Sequence, residues 1–151
     1  MATRGAIFRK RGDELVGRYH HWDSYPEGLG ATLFEWAREF GWDLERMMEF
    51  LIDRHPAGWS TIVMRKPFAP IGYGVEVGPE CYCHGVRHDP PHELHSLDDA
   101  ASCGAEWAYV IDPGAAVMEV WKRTWDDDDE WSWKLVATVS LVGPEPDWKT
   151  F

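Results

Sequence analysis

The stretch from Tyr19 to Gly30, YHHWDSYPEGLG, holds the side chains best suited to chemistry in this chain of 151 residues. Successive side chains of an extended strand point to opposite faces, so Tyr19, His21 and Asp23 are expected to share one face. A carboxylate beside an imidazole fixes the tautomer of the ring and raises its basicity. The spacing therefore fits a hydrolase-type enzyme in which His21 is the general base and Asp23 orients it.

The same stretch also fits a binding site for an anion. Gly28 and Gly30 open a predicted helix, and the free N–H groups of a helix N-terminus attract negative charge. Arg4 lies on the neighbouring strand of a predicted hairpin and adds a fixed positive charge. The aromatic side chains of Trp22 and Tyr25 can stack on a ligand. The predicted ligand-binding residues are Thr3, Arg4, Trp22, Tyr25, Gly28 and Gly30.

Two readings of these residues remain open. In the functional reading, the protein binds a small anionic or nucleotide-like molecule. In the structural reading, the arginine only pairs with the aspartate of the stretch, and the Tyr-Pro pair only shapes a turn, because structural ion pairs can mimic functional sites.

The N-terminal residues ATRG, followed by YHHWDSYPEGLG, resemble a family of small bacterial and phage proteins. These begin Met-Gly-Thr-Arg and then carry HWDGYP or WDSYPxGxG; CYCHG and EWAYVID also resemble actinobacterial members. The resemblance implies no activity, but phage kinship suits an accessory role such as sequestering a signalling nucleotide. Ala2 stands where many members of this family have glycine. If the initiator methionine is removed, Ala2 provides no nucleophilic side chain, which argues against an N-terminal-nucleophile mechanism. The family-typical positions are Thr3, Arg4, Trp22, Asp23, Tyr25, Pro26 and Gly28.

A second group of candidate residues lies in the stretch CYCHGVRHDPPHELHS. Thiolate and imidazole are the ligands that zinc prefers, and a loop-rich segment would gain order from a bound metal. The sequence predicts a closed structural zinc site at Cys81, Cys83, His84 and His88. The Cys-x-Cys spacing is not that of the usual zinc knuckle, so solvated loop histidines are the alternative. Further donors are His92, His95 and Cys103.

The net charge of −11 narrows the classes of partner. It disfavours nucleic acid, since such binders need a basic surface. It leaves open a third function, an acidic protein that binds or inhibits a protein partner. No apolar run approaches a membrane span and no export signal is evident, so a cytoplasmic protein with free thiols is expected. Nucleotide-binding and hydrolase fingerprints, including the P-loop and Gly-x-Ser-x-Gly, do not occur.

Hydrophobic periodicity predicts one α+β domain over residues 1–151. An N-terminal hairpin is expected from TRGAIFRK and LVGRYHHW, followed by two helices and the strand WSTIVM. Residues 65–104 read as a long irregular loop. A meander of three strands completes the chain, with strict alternation from Trp131 to Leu141. The predicted architecture is an antiparallel sheet with both helices packed on one face.

Overall fold

A computed structural model describes residues 2–63, 79–85, 87–125, 127–128 and 130–151. The strands are β1 (Gly5–Arg11), β2 (Glu14–His20), β3 (Trp59–Thr61), β4 (Glu80–Cys81), β5 (Trp107–Asp112), β6 (Val117–Trp125) and β7 (Trp131–Ser140). The helices are α1 (Ala31–Glu39), α2 (Leu44–Met48) and α3 (Leu97–Ser102). A π-helical turn, Pro26–Gly30, precedes α1, another, Glu49–Asp53, follows α2, and a 3₁₀ turn spans Trp148–Thr150. None of the helices in these ranges is long and apolar enough to cross a membrane.

The seven strands form one mixed sheet in the order β4-β3-β2-β1-β5-β6-β7. The predicted hairpin β1–β2 and meander β5–β6–β7 are both present. The prediction of a wholly antiparallel sheet is wrong, because β1 pairs in parallel with β5 and β2 pairs in parallel with β3. The two helices between β2 and β3 form a crossover connection, which is how adjacent strands become parallel.

One face of the sheet carries the larger core, against which α1 and α2 pack. Apolar residues recur at helical spacing along α2 and the π-helical turn that follows it, and all of them are buried: Leu44, Met47, Met48, Leu51 and Ile52. The Asp43 side chain accepts a hydrogen bond from the Arg46 N–H at 3.2 Å and so caps the start of α2.

The opposite face carries a smaller apolar cluster built from Ala6, Phe8, Leu94, Ala100, Ala105, Ala108 and Val110. Part of the predicted irregular segment 65–104 supplies this cover. Leu94 exchanges two backbone hydrogen bonds with Gly17 of β2, and Ser96 caps α3. Both faces of the sheet are therefore covered, whereas the sequence predicted helices on one face only. Residues 64–78 and 86, which include much of that segment, lie outside the described residues.

The turn that follows β2 is tied to the centre of the sheet by Tyr109 of β5. Its hydroxyl donates a buried hydrogen bond of 2.6 Å to the Ser24 carbonyl, and burial raises the pKa of this phenol well above its usual value. Tyr109→Phe leaves that carbonyl without its donor, and we expect the free energy of unfolding to fall by about 2 kcal/mol in urea denaturation. Tyr25→Phe, which removes an exposed hydroxyl, is the control and should cost at most about 0.5 kcal/mol. Equal losses would contradict the role assigned to the Tyr109 hydroxyl.

Candidate functional site

The turn after β2 is organised around a buried histidine. The Ile62 N–H donates to Nε2 of His20 at 3.0 Å, which leaves the ring proton on Nδ1, 2.9 Å from the Ser24 hydroxyl oxygen. That hydroxyl in turn donates to the His20 carbonyl at 3.1 Å. Burial, and secondarily the neighbouring His21, lowers the pKa of His20 from 6.5 to about 3. His20 is therefore a neutral structural residue that holds the turn in place.

Beyond His20 the chain leaves the extended conformation. The backbone N–H groups of His21 and Trp22 still donate to carbonyls of Trp59 and Ser60, but Asp23 adopts a left-handed conformation with φ of 57°. Strand alternation therefore does not reach Asp23. The turn leaves Trp22 exposed at 46% of its surface.

His21 lies next to a phenol and a guanidinium. Its Nδ1 shares a hydrogen bond of 2.6 Å with the Tyr19 hydroxyl. Burial raises the pKa of Tyr19 to about 12, while partial burial and then the charge of Arg4 lower the pKa of His21. The Asp23 carboxylate accepts instead from the Tyr25 hydroxyl at 3.3 Å. The contacts thus pair His21 with a phenol, and its imidazole is neutral at neutral pH.

Two adjoining depressions, of about 480 and about 570 Å³, open beside this turn. Both are lined by Glu106, Arg123 and Trp131. We call the combined depression the Arg4–Arg123 groove. Its other lining residues are Ala2, Thr3, Arg4, His21, Trp22, Tyr25, Gly104, Trp107, Lys122, Thr124 and Trp125.

The groove collects positive charge in a chain of net charge −11. The Arg123 guanidinium lies 4.5 Å from the centre of the Trp131 ring and donates to the Ala101 carbonyl, but its buried Nε–H has no partner among the residues that the structure describes. Lys122 lies over the Trp107 ring at 5.3 Å. Within the part of the chain that the structure describes, the cations of Arg4, Lys122 and Arg123 form no ion pair. The groove therefore presents N–H donors beside aromatic faces.

Four of the six predicted ligand-binding residues line this groove: Thr3, Arg4, Trp22 and Tyr25. The two glycines do not, because both are buried. The Gly28 N–H donates to the Tyr25 carbonyl, and Gly30 lies against the Trp148 ring, where an added Cβ would come within 3.0 Å.

Sequence reasoning missed the half of the groove that comes from the C-terminal strands. Lys122 and Arg123 lie on β6, and Trp131 begins β7. The parallel pairing of β1 with β5 brings these residues beside Arg4. The only local signal is a Lys-Arg pair flanked by tryptophans, which is also common on a solvated strand.

A second cluster joins His55, Cys81, Cys83 and His84, whose donor atoms all lie within 4.8 Å of one another. Three of these were predicted as metal ligands. His55 completes the cluster, and the fourth predicted ligand, His88, is not part of it. Elsewhere, the Cys103 sulfur lies 3.8 Å from Nε2 of His92. His55 was missed because, in sequence, it reads only as the residue before Pro56 at a helix end.

Comparisons of the chain with protein-family models, with curated proteins and with solved structures find no match. The resemblance in the N-terminal motifs therefore stays a prediction, and the geometry of the two sites carries the functional argument.

Proposed function

We propose that the protein binds a small anionic ligand with an aromatic or heteroaromatic group, of the nucleotide class, in the Arg4–Arg123 groove. One observation supports this proposal: three cations and several tryptophans line one depression of an acidic protein. Among the described residues, these cations have no ion-pair partner. Glu106 offsets part of this charge, but the three cations outnumber it, in a chain whose net charge of −11 otherwise disfavours anions.

The two arginines have complementary roles in this proposal. Arg4 lines the same depression as His21 and Trp22. Its guanidinium can form a bidentate contact with a phosphate or carboxylate there. Arg123 is partly fixed by the Ala101 carbonyl and the Trp131 ring, and its buried Nε–H needs an acceptor. An anionic oxygen that reaches this donor when the side chain shifts would satisfy it, and an unpaired buried donor is otherwise costly.

The exposed aromatic rings favour a ligand with a flat group. Trp22, Trp125 and Trp131 are each exposed by more than two fifths of their surface. Base–aromatic stacking contributes about 1–3 kcal/mol per base. Neutral His21, held by Tyr19, adds a hydrogen-bonding edge without adding charge.

Titration calorimetry at low ionic strength, with a panel of mono- and dinucleotides and with inorganic phosphate, tests the proposal. We expect at least one nucleotide to bind, and Arg4→Gln and Arg123→Gln each to weaken binding about tenfold or more, because each removes a charge-assisted contact. Raising the salt concentration should weaken binding further.

Arg38→Gln is the matched control, since it makes the same change in charge at an exposed position of α1 outside the groove. It should leave affinity unchanged. If no compound in the panel binds, or if all three variants bind like the wild type, the groove is not an anion site.

A further inference from the structure

We infer that His55, Cys81, Cys83 and His84 bind one zinc ion in a closed tetrahedral structural site. This inference is independent of the proposed anion groove, because none of the four residues lines it.

The spacing of the donor atoms is close to that of a zinc centre. Zinc bonds of about 2.3 Å to sulfur and about 2.0 Å to nitrogen place tetrahedral donors about 3.3–3.8 Å apart. The four donor atoms already lie within 4.8 Å of one another, and the Cys81 sulfur is 3.1 Å from Nδ1 of His84. Closing on an ion therefore requires movements of about 1 Å, within the reach of side-chain rotation.

An unsatisfied polar atom belongs to this cluster. Nδ1 of His55 is buried and has no hydrogen-bond partner among the described residues. Its ring is held by aromatic contacts, with ring centres 4.2 Å from Trp59 and 5.0 Å from Phe50, and it meets the His84 ring edge-on at 5.2 Å. A half-buried imidazole whose ring is packed in this way is pre-oriented, and a metal ion is a partner that would satisfy its buried Nδ1.

The backbone around the cysteines is also held in place. Cys81 pairs with Trp59 across β3–β4, and the Tyr82 N–H donates to the Gly58 carbonyl at 3.0 Å. The three cysteines of the chain are free thiols, so both sulfurs are available as ligands.

The ligand set favours zinc, and it favours a structural role. Two thiolates with two imidazoles in a tetrahedral arrangement are typical of zinc, and four protein ligands leave no open position for a substrate. The ion would join the chain after α2 to the two-residue strand β4 at the edge of the sheet. Strand β3, whose Ser60 carbonyl accepts the Trp22 N–H, would be stabilised with it.

Metal analysis of the full chain, purified under reducing conditions from cells supplied with zinc, is the first test. We expect one zinc ion per chain by native mass spectrometry, and none after treatment with a strong chelator. Chelation should lower Tm by about 5–10 °C, since the metal binds only the folded state. Cobalt substituted into the wild type should give the strong visible bands of a tetrahedral site and a thiolate charge-transfer band.

The ligand set is tested by single substitutions. Cys81→Ser, Cys83→Ser and His55→Gln should each lose the zinc ion, whereas His88→Gln, which changes an exposed histidine outside the cluster, should retain it. A wild type without zinc, or an octahedral cobalt spectrum, overturns the site whether or not the variants fold. Loss of zinc in His88→Gln with retention in His55→Gln overturns the assignment of His55.

Discussion

Replacing Gly28 with alanine is expected to destabilise the protein by about 3 kcal/mol, since overpacking and a strained buried hydrogen bond each cost about 1–3 kcal/mol. The added Cβ would lie 2.3 Å from the Asp23 carbonyl oxygen. That oxygen accepts the Leu29 N–H at 3.0 Å, so it cannot retreat without weakening the bond. Equilibrium denaturation by urea measures the loss.

Gly114→Ala is the matched control for this substitution. The nearest atom to its Cβ would be a carboxylate oxygen of Asp112 at 3.5 Å, an ordinary contact, so its effect should stay within about 0.5 kcal/mol. Equal stabilities of Gly28→Ala and Gly114→Ala would contradict the close contact between Gly28 and the Asp23 carbonyl oxygen. This turn positions Tyr25 in the lining of the groove, so Gly28→Ala should also weaken the binding of a ligand there.

Acidification is expected to destabilise the protein steeply, with His20 as a main cause. Burial lowers the pKa of His20 in the folded state from 6.5 to about 3. Between these pH values the unfolded chain takes up a proton at this residue and the folded chain does not. The contribution of His20 to stability is therefore complete above pH 6.5 and falls by about 1.4 kcal/mol per pH unit below it, or about 5 kcal/mol by pH 3.

The variant His20→Gln isolates this contribution, because glutamine retains an acceptor for the Ile62 N–H and does not titrate. The free energy of unfolding is measured in urea at a series of pH values. As the pH falls from 6.5 to about 3, it should decrease less in the variant than in the wild type, by about 1.4 kcal/mol per pH unit. Burial also lowers the pKa values of His21 and His55, and both residues remain in the variant. His88→Gln is the control, and parallel curves for wild type and His20→Gln would contradict the prediction.

Several elements could be predicted from the sequence because their signals are local. The first hairpin pairs Gly5 with His20 and Arg11 with Glu14 around a two-residue turn, as the alternation and the Gly12-Asp13 pair indicate. Asp43 caps α2, whose apolar residues recur at helical spacing. In each case the neighbours that decide the structure lie within a few positions along the chain.

For the last strand, β7, the alternation of apolar and polar residues predicts the wrong set of buried side chains. The strict pattern from Trp131 to Leu141 predicts one continuous apolar face. In the structure, Val120 pairs with Ala137 but Trp121 pairs with Leu135, so a bulge shifts the register, and Leu135 is 42% exposed. A bulge depends on how the partner strand twists, which the pattern of one strand does not encode.

The candidate sites divide in the same way. By itself, the sequence placed Arg4 on the hairpin strand next to the one that leads into His21, since a hairpin brings its two strands together. It also placed Cys81, Cys83 and His84 close together, since they lie within four residues of the chain. Only the tertiary structure decided that β1 and β5 run parallel, which adds Arg123 and Trp131 to the groove. It also decided that the chain just after the π-helical turn Glu49–Asp53 approaches β4, which adds His55 to the cluster. These contacts join residues far apart in sequence, and strand order and helix packing set them through the burial of the whole core rather than through any local pattern.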